Sequence, residues 1–179
     1  MPPAKTKSPD AIAFLKTDHR TVEGLFEQYE KAKKSENKAK IAQKICLERI
    51  IHTMIEEEIF YPGVKEAVED DMMDEAYVEH DGAKALIAEI MAGMPEDPFY
   101  DAKVKVLSEE IKHHVKEEEQ RDGMFAQAKK GVVDLGALGE EMAKRKVVLM
   151  KEFKAKGSPR PVTRSMTGAT PEVGALVEA

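Results

Sequence analysis

The chain has 179 residues, of which 42% are apolar, 35% charged and only 6% aromatic, a balance that suits long amphipathic helices around one core. Its net charge of −6 argues against a nucleic-acid partner, because phosphates are held by clustered lysine and arginine, and only the ends are locally basic, at Lys5, Lys7, Arg160 and Arg164. A single cysteine, Cys46, excludes an internal disulfide framework; with no apolar run of about 18 residues and no signal peptide, the expectation is a cytoplasmic chain with no membrane partner.

Residues 1–7 read as a disordered start. Ser8-Pro9-Asp10 reads as a helix start, with a capping hydroxyl, proline at the first helical position and an acid at the positive end of the dipole. Ile12, Leu15, Val22 and Phe26 then recur at helical spacing over about 9–33. The polar run KKSENK breaks that helix, with Ser35 or Asn37 as the next cap, and a second helix over about 37–61 ends at Tyr61-Pro62-Gly63. A third, over about 70–92, closes at Gly93 and the turn MPEDP; a fourth runs from about 99 to Lys130. Leu138, Met142, Leu149 and Phe153 give a shorter fifth helix between Gly136 and Lys156. From Gly157 to 179 proline, glycine and threonine occur without a sustained period, the pattern of a disordered tail whose removal leaves stability and metal content unchanged. The expectation is all-α: an up-down-up-down four-helix bundle with the short fifth helix, spanning 8–156.

Four histidines fall on the inward stripes of the four long helices. His19 has Leu15 and Val22 beside it, His52 has Ile45 and Ile55, His80 has Tyr77 and Ile87, and His114 has Leu107 and Ile111. His113 is turned away by about 100° and belongs on a flank. In antiparallel neighbours, residues equidistant from the intervening turn are level. The midpoint of 19 and 52 lies in KKSENK, that of 52 and 80 just past Pro62-Gly63, and that of 80 and 114 in MPEDP. One histidine per helix therefore converges on one layer.

Two acids join them, since Glu56 is at i+4 from His52 and Glu118 at i+4 from His114. A buried imidazole–carboxylate cluster without a cation would cost several kcal/mol. Nitrogen and oxygen ligands suit iron, manganese or zinc, and bridging carboxylates suit a pair of ions. A lone histidine on an apolar face is ordinarily a hydrogen-bonded core residue, but four at one level are hard to assign to coincidence. Glu57, Glu58 and Glu119 keep the ordinary reading of a solvated face, the ten methionines that of core filler, and Cys46 that of a core thiol.

The stretches DHRTVEGLF, IIHTMIEEEIFYP, VEHDGAKALI and IKHHVKEEE resemble the motif helices of the hemerythrin-like family, the HHE cation-binding domains, over roughly residues 8–130. The resemblance implies a four-helix bundle with a non-haem di-iron centre, in which His19 and His52 bind one iron, His80 and His114 the other, and Glu56 and Glu118 bridge them. A ferritin-like plan needs two Glu-x-x-His motifs, and only Glu110-x-x-His113 fits. Oxygen-carrying members have a further histidine one turn after the third-helix ligand, where this chain has Lys84, and space the fourth-helix pair at i+5 rather than i+4. Glu23, Glu48, Glu110 and Tyr77 are substitutes within reach, and Lys84 either ligates, pairs with a bound anion or swings aside; otherwise the position is open to a small oxidant such as oxygen, peroxide or nitric oxide. The function expected is binding of, or reaction with, such oxidants in sensing, scavenging, oxygen handling or iron storage. The competing reading is a helical interaction module with a structural metal and a partner-recruiting tail.

Overall fold

The computed structural model describes residues 9–168, and among them there is helix but no strand. The long helices are α1 (Ala11–Lys31), α2 (Ser35–Ile55), α3 (Asp70–Ala92), α4 (Tyr100–Glu119) and α6 (Leu135–Lys156), with a short α5 (Met124–Lys130) between the last two. No described helix is long and apolar enough to cross a membrane. The expected disordered start, 1–7, lies outside the described residues, as do 169–179 of the tail.

Helices α1 to α4 pack in a closed cycle, α1 on α2, α2 on α3, α3 on α4 and α4 on α1, while α6 lies along the outside of α1 and α2. At the start of α1 the cap is Asp10, whose Oδ1 accepts the Ala13 N–H at 2.8 Å. The helix expected over 99–130 is broken at 120–123. A Cβ on Gly123 would lie 2.0 Å from the Glu117 carbonyl oxygen, so the chain turns there at a position only glycine fits. The fifth long helix, expected to be the shorter one, has 22 residues against 21 in α1. It closes on α1 through Gly139, where a Cβ would meet the Pro9 carbonyl oxygen at 2.4 Å.

The end of α2 widens into a π-turn over Glu56–Phe60 before a last α-turn, Tyr61–Val64. A π-turn spreads successive side chains by a smaller angle than an α-turn, so Ile59, Phe60 and Tyr61 are all buried in succession. The apolar core is consequently divided. One cluster gathers Leu15, Ile55, Phe60, Tyr61, Met73 and Phe125; the other gathers Phe26, Ile45, Ile87, Val104, Leu107 and Ile111. Between them lies a polar layer.

The stretch after α6 departs from the expected disordered tail. Residues 157–168 form no helix or strand, yet they run back over α3 as a strap. The backbone N–H groups of Arg164, Ser165 and Met166 all donate to Asp81 Oδ2, at 2.7, 2.5 and 3.1 Å, and the Ser165 hydroxyl donates to it at 2.7 Å. Periodicity of side chains gives no notice of a contact made by backbone donors.

Candidate metal centre

All six expected ligand residues meet in the polar layer, each at most 3% exposed. His19 Nε2 is 3.3 Å from His52 Nε2, and His80 Nε2 is 3.2 Å from His114 Nε2. Glu56 Oε2 lies between the pairs, 3.0 Å from His52 Nε2 and 3.2 Å from His80 Nε2. Glu118 spans them from the other side, with Oε2 3.3 Å from His19 Nε2 and Oε1 3.6 Å from His114 Nε2. Two adjoining donor sets result, His19–His52–Glu56–Glu118 and Glu56–His80–His114.

Each histidine turns its other nitrogen to an acid. His19 Nδ1 donates to Glu119 at 2.7 Å, His80 Nδ1 to Glu57 at 3.1 Å and His114 Nδ1 to Glu79 at 2.7 Å, while His52 Nδ1 faces Asp18 at 3.7 Å. Every acid comes from the neighbouring helix, so the four pairs form a ring: α1 supports α2, α2 supports α3, α3 supports α4 and α4 supports α1. Sequence reasoning missed this ring, assigning Glu57 and Glu119 to a solvated face and passing over Asp18 and Glu79. A signal was present, because each is the immediate neighbour of an inward histidine or glutamate: Asp18 of His19, Glu57 of Glu56, Glu79 of His80 and Glu119 of Glu118.

With Nδ1–H donated outward from His19, His80 and His114, their Nε2 atoms present lone pairs inward, and His52 Nε2 faces the same way. Neither oxygen of Glu56 or Glu118 receives a hydrogen bond. Acceptors thus face acceptors at 3.0–3.6 Å in a water-poor layer, and a cation between them is what the donor set fits. Electrostatics agree. Burial alone would raise Glu56, but His52 and His80 hold it well below the usual carboxylate range. Burial alone would lower His52 and His114, yet Glu56 and Glu118 respectively outweigh it and raise both. Raised histidine pKa values favour protons on these nitrogens, and a metal competes with those protons for the same lone pairs.

Two further residues were not anticipated. The Tyr61 hydroxyl is 3.2 Å from His80 Nε2, with its ring stacked on the imidazole at 5.5 Å, and burial together with Glu56 and Glu118 keeps that phenol protonated. Arg49, 1% exposed, lies one turn before His52 with its Nε and Nη1 unpartnered, and burial lowers its pKa against the pull of Glu56 and Glu118.

The substitute ligands stay outside the layer. Glu23 pairs with Arg20 at 2.9 Å, Glu48 with Lys146 at 3.3 Å, and Glu110 is exposed. Tyr77 packs edge-on against Tyr61, 5.3 Å between rings. Lys84 swings aside: its Nζ is 2.7 Å from Glu57 Oε1 and 3.1 Å from Asp81 Oδ1, an outer contact rather than a ligand. His113 sits on the surface, its side chain 59% exposed and 3.4 Å from both Glu79 and Glu117.

Comparisons with known proteins agree with this geometry. A family model described as the hemerythrin HHE cation binding domain matches residues 10–126. The crystal structure of a hemerythrin HHE cation binding domain-containing protein from Mycobacterium kansasii superposes with a TM-score of 0.71 at 25% identity, over 84% of this chain and 95% of that one. A Nostoc protein described as a DNA nickase is 27% identical over 105 residues, 59% of this chain but only 30% of that protein's length. A four-histidine, two-carboxylate layer between two halves of a helical core and a family match over the helices that build it lead to one assignment: the chain belongs to the hemerythrin HHE cation-binding family.

Proposed function

We propose that the chain is a non-haem di-iron protein that binds or reacts with a small oxidant, such as oxygen, peroxide or nitric oxide. The observation that carries the proposal is the inward convergence of four Nε2 atoms on two shared carboxylates, with three imidazoles hydrogen-bonded to an outer acid and the fourth, His52, facing Asp18 at 3.7 Å. Iron held there would supply electron exchange with the oxidant. The protein's own contribution is orientation and exclusion of water. The outer acids fix each tautomer and make the inward nitrogen more basic. Glu56 and Glu118 are placed to span both positions. Phe125, parallel to His19 at 5.9 Å, and Tyr61, stacked on His80, close the layer from the first core cluster. The Tyr61 hydroxyl is a proton-holding group at the second position, available to a ligand bound beside His80.

The test is metal analysis after iron-replete expression, which should give about two irons per chain. A single ion, or none, removes the di-iron assignment. Absorption from ligand-to-metal charge transfer that changes on adding peroxide supports the oxidant reading. A colourless zinc-loaded protein inert to oxidants supports the structural-metal alternative. The nicking activity that names the Nostoc relative forms no part of the proposal, since the match covers 30% of that protein and the charge of −6 gives phosphates little to hold.

A further inference from the structure

Asp81 is a fully buried carboxylate adjacent to a ligand histidine in sequence, and it belongs to neither donor set. Its Oδ2 is wrapped by four donors from the strap, the three consecutive N–H groups of 164–166 and the Ser165 hydroxyl, a nest whose anion is the chain's own side chain. The Thr163 hydroxyl donates to the Met166 carbonyl oxygen at 3.1 Å and closes that loop, and the Arg164 guanidinium lies 4.8 Å above the Tyr77 ring. On its other side Asp81 Oδ1 accepts from Lys84 Nζ at 3.1 Å; the same Nζ reaches Glu57 Oε1 at 2.7 Å; and that oxygen accepts from His80 Nδ1 at 3.1 Å. The hydrogen bonds form an unbroken line from the strap to a ligand. A cavity of about 240 Å³ lies beneath the strap, with Pro159, Pro161 and Val162 as roof and Glu57 and Lys84 among the residues of its bundle side.

We propose that the strap is a working part of the metal centre: through Asp81 and Lys84 it positions Glu57 against His80, and so governs how firmly the ion between His80 and His114 is kept. The proposal rests on the two-ion reading above. Its physical content is that Lys84 has three donors and two acids to satisfy, the buried Asp81 and the half-buried Glu57. With the strap in place, Asp81 is saturated and anchors the ammonium, whose second bond fixes the Glu57 oxygen that orients His80. Without the strap, Asp81 opens to water, Lys84 gains freedom, and Glu57 is no longer held at one oxygen. Only the His80 side is affected, because the acids behind His19, His52 and His114 make no contact with this line. Asp81, Lys84 and Ser165 are positioning residues, and none of them belongs to either donor set.

The experiment uses the full-length chain loaded with cobalt(II) as a spectroscopic probe and follows release to a chelator. Ser165→Pro deletes one N–H and the hydroxyl from the nest without altering the bundle; Lys84→Met cuts the line in the middle; Lys84→Arg preserves a donor. In Ser165→Pro and Lys84→Met one of the two ions should leave roughly 10- to 100-fold faster while the other keeps its original rate, with Lys84→Arg restoring most of the difference. The double variant should be no faster than Lys84→Met alone, because both changes cut one line. Unchanged release in both variants overturns the proposal, as does equal acceleration of both ions with a matching fall in the melting temperature of the metal-free chain. Multiplicative effects in the double variant overturn it too. If the unmodified chain never takes two ions, the di-iron reading fails first and carries this proposal with it.

Discussion

Replacing His114 by alanine and, separately, its neighbour His113 sets a ligand against a surface residue one position away. His114 contributes an inward nitrogen 3.2 Å from His80 and an outward one 2.7 Å from Glu79, with a side chain only 4% exposed. Loss of an outer partner alone weakens metal binding roughly 10- to 100-fold, so loss of the ligand should reach at least the upper figure, about 2.8 kcal/mol at 1.4 kcal/mol per tenfold. Because metal binds the folded chain, that difference appears as stability, a fall in melting temperature of about 6–11 °C in saturating metal. His113 is 59% exposed on its side chain and contributes surface ion pairs at 3.4 Å. Such pairs are worth about 0.2–1 kcal/mol, so His113→Ala should lower the melting temperature by less than about 4 °C and leave metal content intact. Elemental analysis after dialysis and calorimetry with and without chelator read both quantities. Metal lost from the His113 variant and kept by the His114 variant would refute the reasoning and place the α4 register one residue away.

Glu79→Gln retains an acceptor for His114 but removes the charge behind it, and should weaken metal binding roughly tenfold with little change in the metal-free melting temperature; equilibrium competition with a chelator reads this. Raised folded-state pKa values at His52 and His114 stabilise the metal-free chain fully below about pH 6.5, and that stabilisation is lost as pH rises through the raised values; protons oppose the metal-bound form over the same range. Melting temperatures between about pH 6 and 8 should therefore slope downward in chelator and upward in metal, and equal slopes would contradict the lone-pair geometry. Gly139→Ala places a methyl 2.4 Å from the Pro9 carbonyl oxygen and 2.7 Å from the Ala11 nitrogen, and should cost about 1–3 kcal/mol in denaturant unfolding while leaving metal stoichiometry unchanged.

The side-chain period made the helices legible, and equal distance from the turns put His19, His52, His80 and His114 at one level from the chain alone. That success comes from a rigid rise per residue, which sequence counting reproduces. What it missed depends on backbone geometry or on contacts between helices. The expected fourth helix runs straight through Gly123, and the 2.0 Å approach of the Glu117 carbonyl that makes this position a break exists only in three dimensions. The π-turn at 56–60 alters the angle between successive residues, so Tyr61 reaches the layer while Tyr77, on the nominal stripe of α3, ends up behind it. Glu57 and Glu119 read as solvent-facing because helical angle places them off the inward stripe of their own helix; they face the flank of the next helix, where a histidine waits. The strap left no trace in the side-chain period because three of its four anchors are amide hydrogens, which every residue but proline possesses.

The ring of outer acids makes the centre a check on axial register. Each helix depends on one neighbour for the orientation of its histidine and provides the same service to the other, so no pair of helices contains a complete unit. Sliding one helix along its axis by a turn, about 5.4 Å, would sever two histidine–carboxylate pairs at once: the one it gives and the one it receives. A misassembled bundle could still bury apolar surface, since that driving force is non-directional, yet it would present a scrambled donor set. Metal affinity would thus discriminate among packings that hydrophobic burial alone separates poorly, and metal occupancy would report that all four helices have found the same level.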